Sequence, residues 1–156
     1  MKLVIAADPF AVDLKDAVAE HLIENGHEVT DVGATAGNDI PYFTAAQNAA
    51  RMLQNGTAER AILFCGTGMG MSIVANKHRD VVAACVESVF AAKMCRAVNN
   101  ANALCLGAMI WGPWMAIEAV DVFLSTAHTQ GLEQFADFLK MAVGQVSSID
   151  FENLKD

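Results

Sequence analysis

Two features of the sequence predict an α/β fold with a five-stranded parallel sheet between two helical layers. Short apolar runs alternate with stretches of helical spacing along most of the chain. The runs are apolar almost throughout instead of every second residue, as expected of strands buried on both faces.

Each element follows in turn. Leu3–Ala7 reads as the first strand. Val12, Leu14, Ala17, Val18, His21 and Leu22 then fall at helical spacing, and Asn25-Gly26 stops the helix. Glu28–Val32 is the second strand. Asp39-Ile-Pro41 starts a helix with proline in its first turn, and Asn55-Gly56 ends it. Arg60–Cys65 is the third strand, with a helix over Met71–Lys77. Val81–Val86 is the fourth strand, with a helix from about Ser88 to Val98. Ala103–Gly107 is the fifth strand. Pro113 opens a helix to about Ser125, and a last helix covers Leu132–Val143. Residues 1–146 are expected to form one domain, followed by a polar, acidic tail over 147–156.

Composition narrows the class. A chain of 156 residues, 54% hydrophobic, can bury a real core. A net charge of −8 argues against nucleic-acid or anionic-membrane partners. No apolar run approaches the roughly 18 residues of a membrane span. Met1–Asp8 meets an acid too early for a signal peptide. Cys65, Cys85, Cys95 and Cys105 form no C-x-x-C pair, and read as reduced thiols of a cytoplasmic protein.

The densest chemistry lies in Cys65-Gly-Thr-Gly-Met-Gly-Met-Ser72. A buried strand there delivers a thiol to its C-terminal end, where open α/β sheets bind ligands. Gly66, Gly68 and Gly70 free the following backbone to turn its N–H groups toward an anion. The loop lacks the Gly-Lys-Ser/Thr ending of a P-loop. Position 71 is methionine, where a cysteine phosphatase would need arginine, and strand one is followed by Asp8-Pro9-Phe10 with no dinucleotide glycines. Proton transfer remains. In an aldose–ketose isomerase a base moves a proton between adjacent carbons through a cis-enediol(ate). Cys65 fits the base, the loop amides fit the oxyanion donors, and Thr67 fits a contact to a substrate hydroxyl. A small buried hydrophobe is the alternative for Cys65.

At these residues the chain resembles the type B ribose-5-phosphate isomerases and the related galactose-6-phosphate isomerase subunits. Ile5-Ala-Ala-Asp8, Gly33, Gly56, Cys65–Lys77, Asn99–Asn102, Leu106–Ala108 and Gly112-Pro113 carry the resemblance over nearly the whole chain. It implies a Rossmann-like sheet and a homodimer or homotetramer with the site between subunits. Cys65 would be the base, Thr67 and the loop from Gly66 to Ser72 would hold substrate oxygens, and Asp8 and Asn99 would contact hydroxyl or carbonyl groups. Asp8 also ends a strand, with a helix cap as its alternative role. The resemblance implies no cofactor and no metal.

The departures fall on charge. The family's histidine after the strand-one aspartate is Pro9, its ring-opening histidine is Val98, and its arginines are Met109, Leu132 and Ala136. Phosphate favours charge-assisted donors, which these side chains do not supply. Three accounts stay open. One is a homo-oligomeric isomerase of another sugar, either a four-carbon sugar phosphate that cannot close a furanose ring or an unphosphorylated sugar derivative. The second is the cysteine-bearing subunit of a hetero-oligomer. The third is a sugar-binding relative without activity. Of the histidines, His128 is the one placed to reach a neighbour's site. Arg96 reads as a salt-bridge or substrate contact, and Trp111 and Trp114 as pocket wall or interface.

Overall fold

The computed structural model describes residues 1–152. Five strands form one parallel sheet in the order β2-β1-β3-β5-β4. They are β1 (Lys2–Ala7), β2 (Glu28–Asp31), β3 (Arg60–Cys65), β4 (Ala83–Cys85) and β5 (Ala103–Gly107). The helices are α1 (Val12–Glu24), α2 (Tyr42–Gln54), α3 (Met69–Ala75), α4 (Val89–Asn99), α5 (Pro113–Ser125) and α6 (Ala136–Glu152). This is the expected three-layer, Rossmann-like α/β/α architecture.

The core divides by strand parity, because successive side chains of a strand point to opposite faces. Leu3, Ile5, Ile62, Phe64, Leu104 and Leu106 pack with Leu14, Val18 and Phe123 under α1, α4 and α5. Val4, Ala6, Leu63, Cys65 and Cys105 face α2 and α3. There α2 presents only Ala45, Ala46, Ala49 and Ala50, so its backbone lies close to the sheet. Cys65 is therefore on the α2–α3 face.

Several boundaries differ from expectation for local reasons. Pro41 is the cap of α2, with ψ 151°, instead of part of its first turn. Helix α3 starts two residues early because Gly68 caps it in the left-handed region. It stops at Asn76, whose side chain takes both backbone groups of Ala83. The edge strand β4 is shorter than Val81–Val86, since the Val82 N–H is taken by the Asn102 side chain. The final helix begins after a 3-10 turn at Glu133–Phe135 and runs through Gly144 to Glu152. Ser147–Glu152 of the expected tail is thus helical. One interior glycine costs about 1 kcal/mol, and no proline follows to end the helix. Residues 153–156 lie outside the described residues.

The chain leaves β1 toward β2 on one side, then returns to place β3 on the other. The C-terminal ends of β1 and β3 therefore flank a switch point, where open α/β sheets form a binding crevice.

Candidate active site

Strand β3 ends with Cys65, paired in register with Gly107 of β5. The loops beyond these strands are bonded together: Ala108 N–H donates to the Cys65 carbonyl and Met109 N–H to the Gly66 carbonyl, both at 2.9 Å. Thr67 lies directly on the backbone of Gly107. A methyl group added at Gly107 would sit 2.5 Å from the Thr67 carbonyl carbon, so only glycine admits this approach. Gly68, at φ +79°, then turns the chain into α3. That turn aims the Gly68 N–H at the Cys65 Sγ, 3.1 Å away. Cys65 is 5% exposed, so water competes little for the sulfur.

Asp8 stands at the matching end of β1, and its N–H donates to the Phe64 carbonyl at 3.2 Å. Its Oδ1 accepts the Phe10 N–H at 3.1 Å, so the capping role is real. Burial raises the Asp8 carboxyl above the ordinary 3.8, outweighing the lowering effect of the Phe10 and Ala11 N–H groups.

Other loop residues are mixed in their orientation. The Thr67 hydroxyl accepts the Met69 N–H at a long 3.4 Å. Ser72 Oγ donates to the Met69 carbonyl at 3.0 Å, so its proton is engaged within α3. Gly70 faces the Tyr42 ring, with an added methyl 2.9 Å from Cε2. Gly66 is covered by two side chains that sequence reasoning did not combine. An added methyl there would lie 3.4 Å from Met109 Cε and 3.8 Å from Phe10 Cδ1. Both side chains are otherwise open to solvent, Phe10 at 59% and Met109 at 65% exposure.

Asn99 does not join this group within one chain. It is the last residue of α4, which runs back from the C-terminal edge of the sheet to the opposite edge. There it lines a groove with Val82, Val98, Phe138 and Leu139. His128 lies in the segment after α5, with a buried Nε2 that has no hydrogen-bond partner among the described residues. Arg96 is buried and structural: it donates to the carbonyls of Thr126 and Ala101 and to Asn100. Trp111 is buried and donates to the Val86 carbonyl, while Trp114 is 86% exposed. Lys15, which the sequence reading passed over, is fully buried beside Asp31, with Asp16 and the Ala34 carbonyl completing its shell. Burial pulls its ammonium down, but the hydrogen bonds and charges of Asp31 and Asp16 together raise it. It fixes the chain leaving β2 beside β1.

All four cysteines are free. Among the described residues, no group of three or more His, Cys, Asp or Glu side chains is placed to hold a metal. No described helix is long and apolar enough to cross a membrane.

The family model for ribose/galactose isomerases matches residues 3–137. A 4-deoxy-4-sulfo-D-erythrose isomerase of Clostridium sp. (strain MSTE9) is 45% identical over 96% of this chain and 96% of its own. A D-erythrulose-4-phosphate isomerase of Pectobacterium atrosepticum is 36% identical, covering 84% of this chain and 87% of that protein. The solved ribose-5-phosphate isomerase B of Clostridium thermocellum superposes with a TM-score of 0.90 at 31% identity, covering 98% and 99% of the two chains.

Proposed function

The chain belongs to the ribose/galactose isomerase family and is an isomerase; from that premise we propose that it interconverts 4-deoxy-4-sulfo-D-erythrose and the corresponding 2-ketose. The observation that carries this reading is the apolar cover of Phe10 and Met109 over Gly66, one residue from Cys65. A carbon-bound sulfonate is a singly charged group on a methylene. It suits an apolar wall and backbone N–H donors better than a doubly charged phosphate ester does. The 45% relationship to an isomerase of that name supports the same substrate.

The chemistry removes the need for a ring-opening acid. Closing a furanose ring requires a hydroxyl on C4, and the sulfonate replaces it. The aldehyde is then open, and Pro9 and Val98 at the family's histidine positions are no handicap. Cys65 as thiolate takes the proton from C2, and the electron pair moves toward O1 to give the cis-enediol(ate). The proton returns to C1 as O2 becomes the carbonyl, so no atom is gained or lost. Asp8, just beyond the C-terminal end of β1, carries the proton between O1 and O2. Loop N–H groups and Thr67 bind the oxygens as their charge grows.

The working unit is a homo-oligomer with its site shared between copies. Asn99 lies at the opposite sheet edge from Cys65, so it serves the site of a second copy. Helix α6 leaves Phe138, Met141, Val146 and Ile149 exposed, a face suited to such a partner.

The test is proton exchange followed by NMR in heavy water. Substrates are 4-deoxy-4-sulfo-D-erythrose, D-erythrose 4-phosphate and D-ribose 5-phosphate, with Cys65→Ala as control. Cys65-dependent exchange at C2, fastest with the sulfo sugar, supports the assignment. Faster turnover of either phosphate would replace the substrate. Exchange that survives Cys65→Ala would remove the base.

A further inference from the structure

Cys85 ends β4, two strands away from Cys65, and is half-buried. Its Sγ donates to the Thr67 carbonyl at 3.5 Å. The next atom group of that same peptide unit is the Gly68 N–H, which donates to Cys65 Sγ at 3.1 Å. One peptide plane therefore lies between the two sulfurs, accepting on one side and donating on the other. Its place is fixed from below by Gly107 and from the side by Gly68, where an added methyl would meet Cys85 Sγ at 3.1 Å.

We propose that Cys85 is a positioning residue for the Cys65 base, acting through the Thr67–Gly68 peptide. A donor on a peptide carbonyl polarises that peptide and strengthens its N–H as a donor, the cooperativity of hydrogen-bond chains. It also stops the peptide from rotating its N–H away from the sulfur. Burial pushes the Cys85 thiol up, with the charges of Cys65 and Glu87 adding to the effect, so it stays a protonated donor at neutral pH. The two thiols are not a disulfide pair. Cys85 is opposite Cys105 and Cys65 opposite Gly107, on strands separated by β5, so their Cα atoms are well beyond bridging range.

The inference rests on Cys65 being the base, and its test includes a readout that does not. Cys85→Val removes the donor at similar volume, and Cys85→Ser keeps a hydroxyl donor. The rate of Cys65 alkylation by iodoacetamide at pH 7 is followed by peptide mass spectrometry, beside kcat and KM on 4-deoxy-4-sulfo-D-erythrose. Thermal melting identifies variants that have lost the fold, and a valine variant that melts early is replaced by Cys85→Ala. The expected result is a fall of about two- to fivefold in alkylation rate and in kcat for the donorless variant, with KM unchanged. Cys85→Ser should recover most of both. Equal alkylation in all folded variants, or a serine variant as impaired as valine, overturns the role of Cys85. Unchanged turnover in Cys65→Ala would instead overturn the base, while the alkylation rates still decide the peptide link.

Discussion

The Gly68 N–H donates to Cys65 Sγ across 3.1 Å, so the residue that starts α3 also holds the sulfur at the end of β3. A donor aimed at sulfur would stabilise the charge that the sulfur gains in the proposed role of base. Replacing Cys65 by alanine should lower kcat by about a hundred- to ten-thousandfold, the usual share of a positioned acid–base group. Stopped-time NMR exchange measures it. A residual rate above a tenth of wild type would be incompatible with proton transfer by Cys65.

Gly107 is the floor of this arrangement. A methyl at that position would lie 2.5 Å from the Thr67 carbonyl carbon and 2.7 Å from its Cα, all backbone atoms that cannot rotate aside. Gly107→Ala should therefore cost about 1–3 kcal/mol of stability by overpacking. It should also lower kcat, because the shift moves the Gly68 N–H. A denaturant melt and a turnover assay on the same sample check both; unchanged values would mean that the loop tolerates the displacement.

Much of this was legible in the sequence, and the reason is topological. Apolar runs ending in Asp8 and Cys65 place both side chains at the C-terminal edge whatever the strand order. Gly68 and Gly107 were visible as glycines, but their roles depend on β3 and β5 being neighbours, which no local pattern encodes. The Cys85 contact to Thr67 was hidden for the same reason. Lys15 was hidden by its setting, a lysine beside the apolar stripe of α1 whose partner Asp31 lies on another element. The distant position of Asn99 could have been read from order alone, since a helix that precedes β5 must end at the edge where β5 begins. The last helix runs on past the expected end at Val143, because the lone Gly144 that follows only weakens a helix.

Asp8, proposed to carry the substrate's proton, also makes stability depend on pH. Burial raises its carboxyl above 3.8, so the folded state holds this proton more tightly than the unfolded chain. Any stability from the protonated form is full below 3.8 and is lost as pH rises through the raised value. At pH 7 the ionised carboxylate therefore opposes folding. Asp8→Asn retains an oxygen for the Phe10 N–H but removes the charge. It should raise the melting temperature at pH 7, show no gain below pH 3.8, and lose most turnover. Melting curves across that window decide it, and a lower melting temperature at pH 7 would contradict the sign.

Met109 and Phe10 cover Gly66 with apolar atoms where a substrate's anionic end is proposed to lie. A guanidinium at 109 would offer a bidentate, charge-assisted donor set, which favours a phosphate over a sulfonate. Met109→Arg should therefore lower KM for D-erythrose 4-phosphate by about tenfold, with a smaller gain for the sulfo sugar. Competition between the two substrates in one NMR tube reads the ratio directly. No change in that ratio would place the anion elsewhere.

Asn99 and Cys65 lie at opposite edges of one sheet, so in the proposed homo-oligomer a site that uses both takes them from different copies. Cys65→Ala and Asn99→Ala should each impair a homo-oligomer. Co-expressed with different tags, the two variants form mixed dimers in which one site pairs both altered residues and the other pairs both native ones. Random pairing makes about half of the dimers mixed, so activity should return to about a quarter of wild type. Complementation at that level is impossible if each chain completes its own site. It would equally fail if Asn99 made no contact with substrate, but then Asn99→Ala alone would already be as active as the native enzyme.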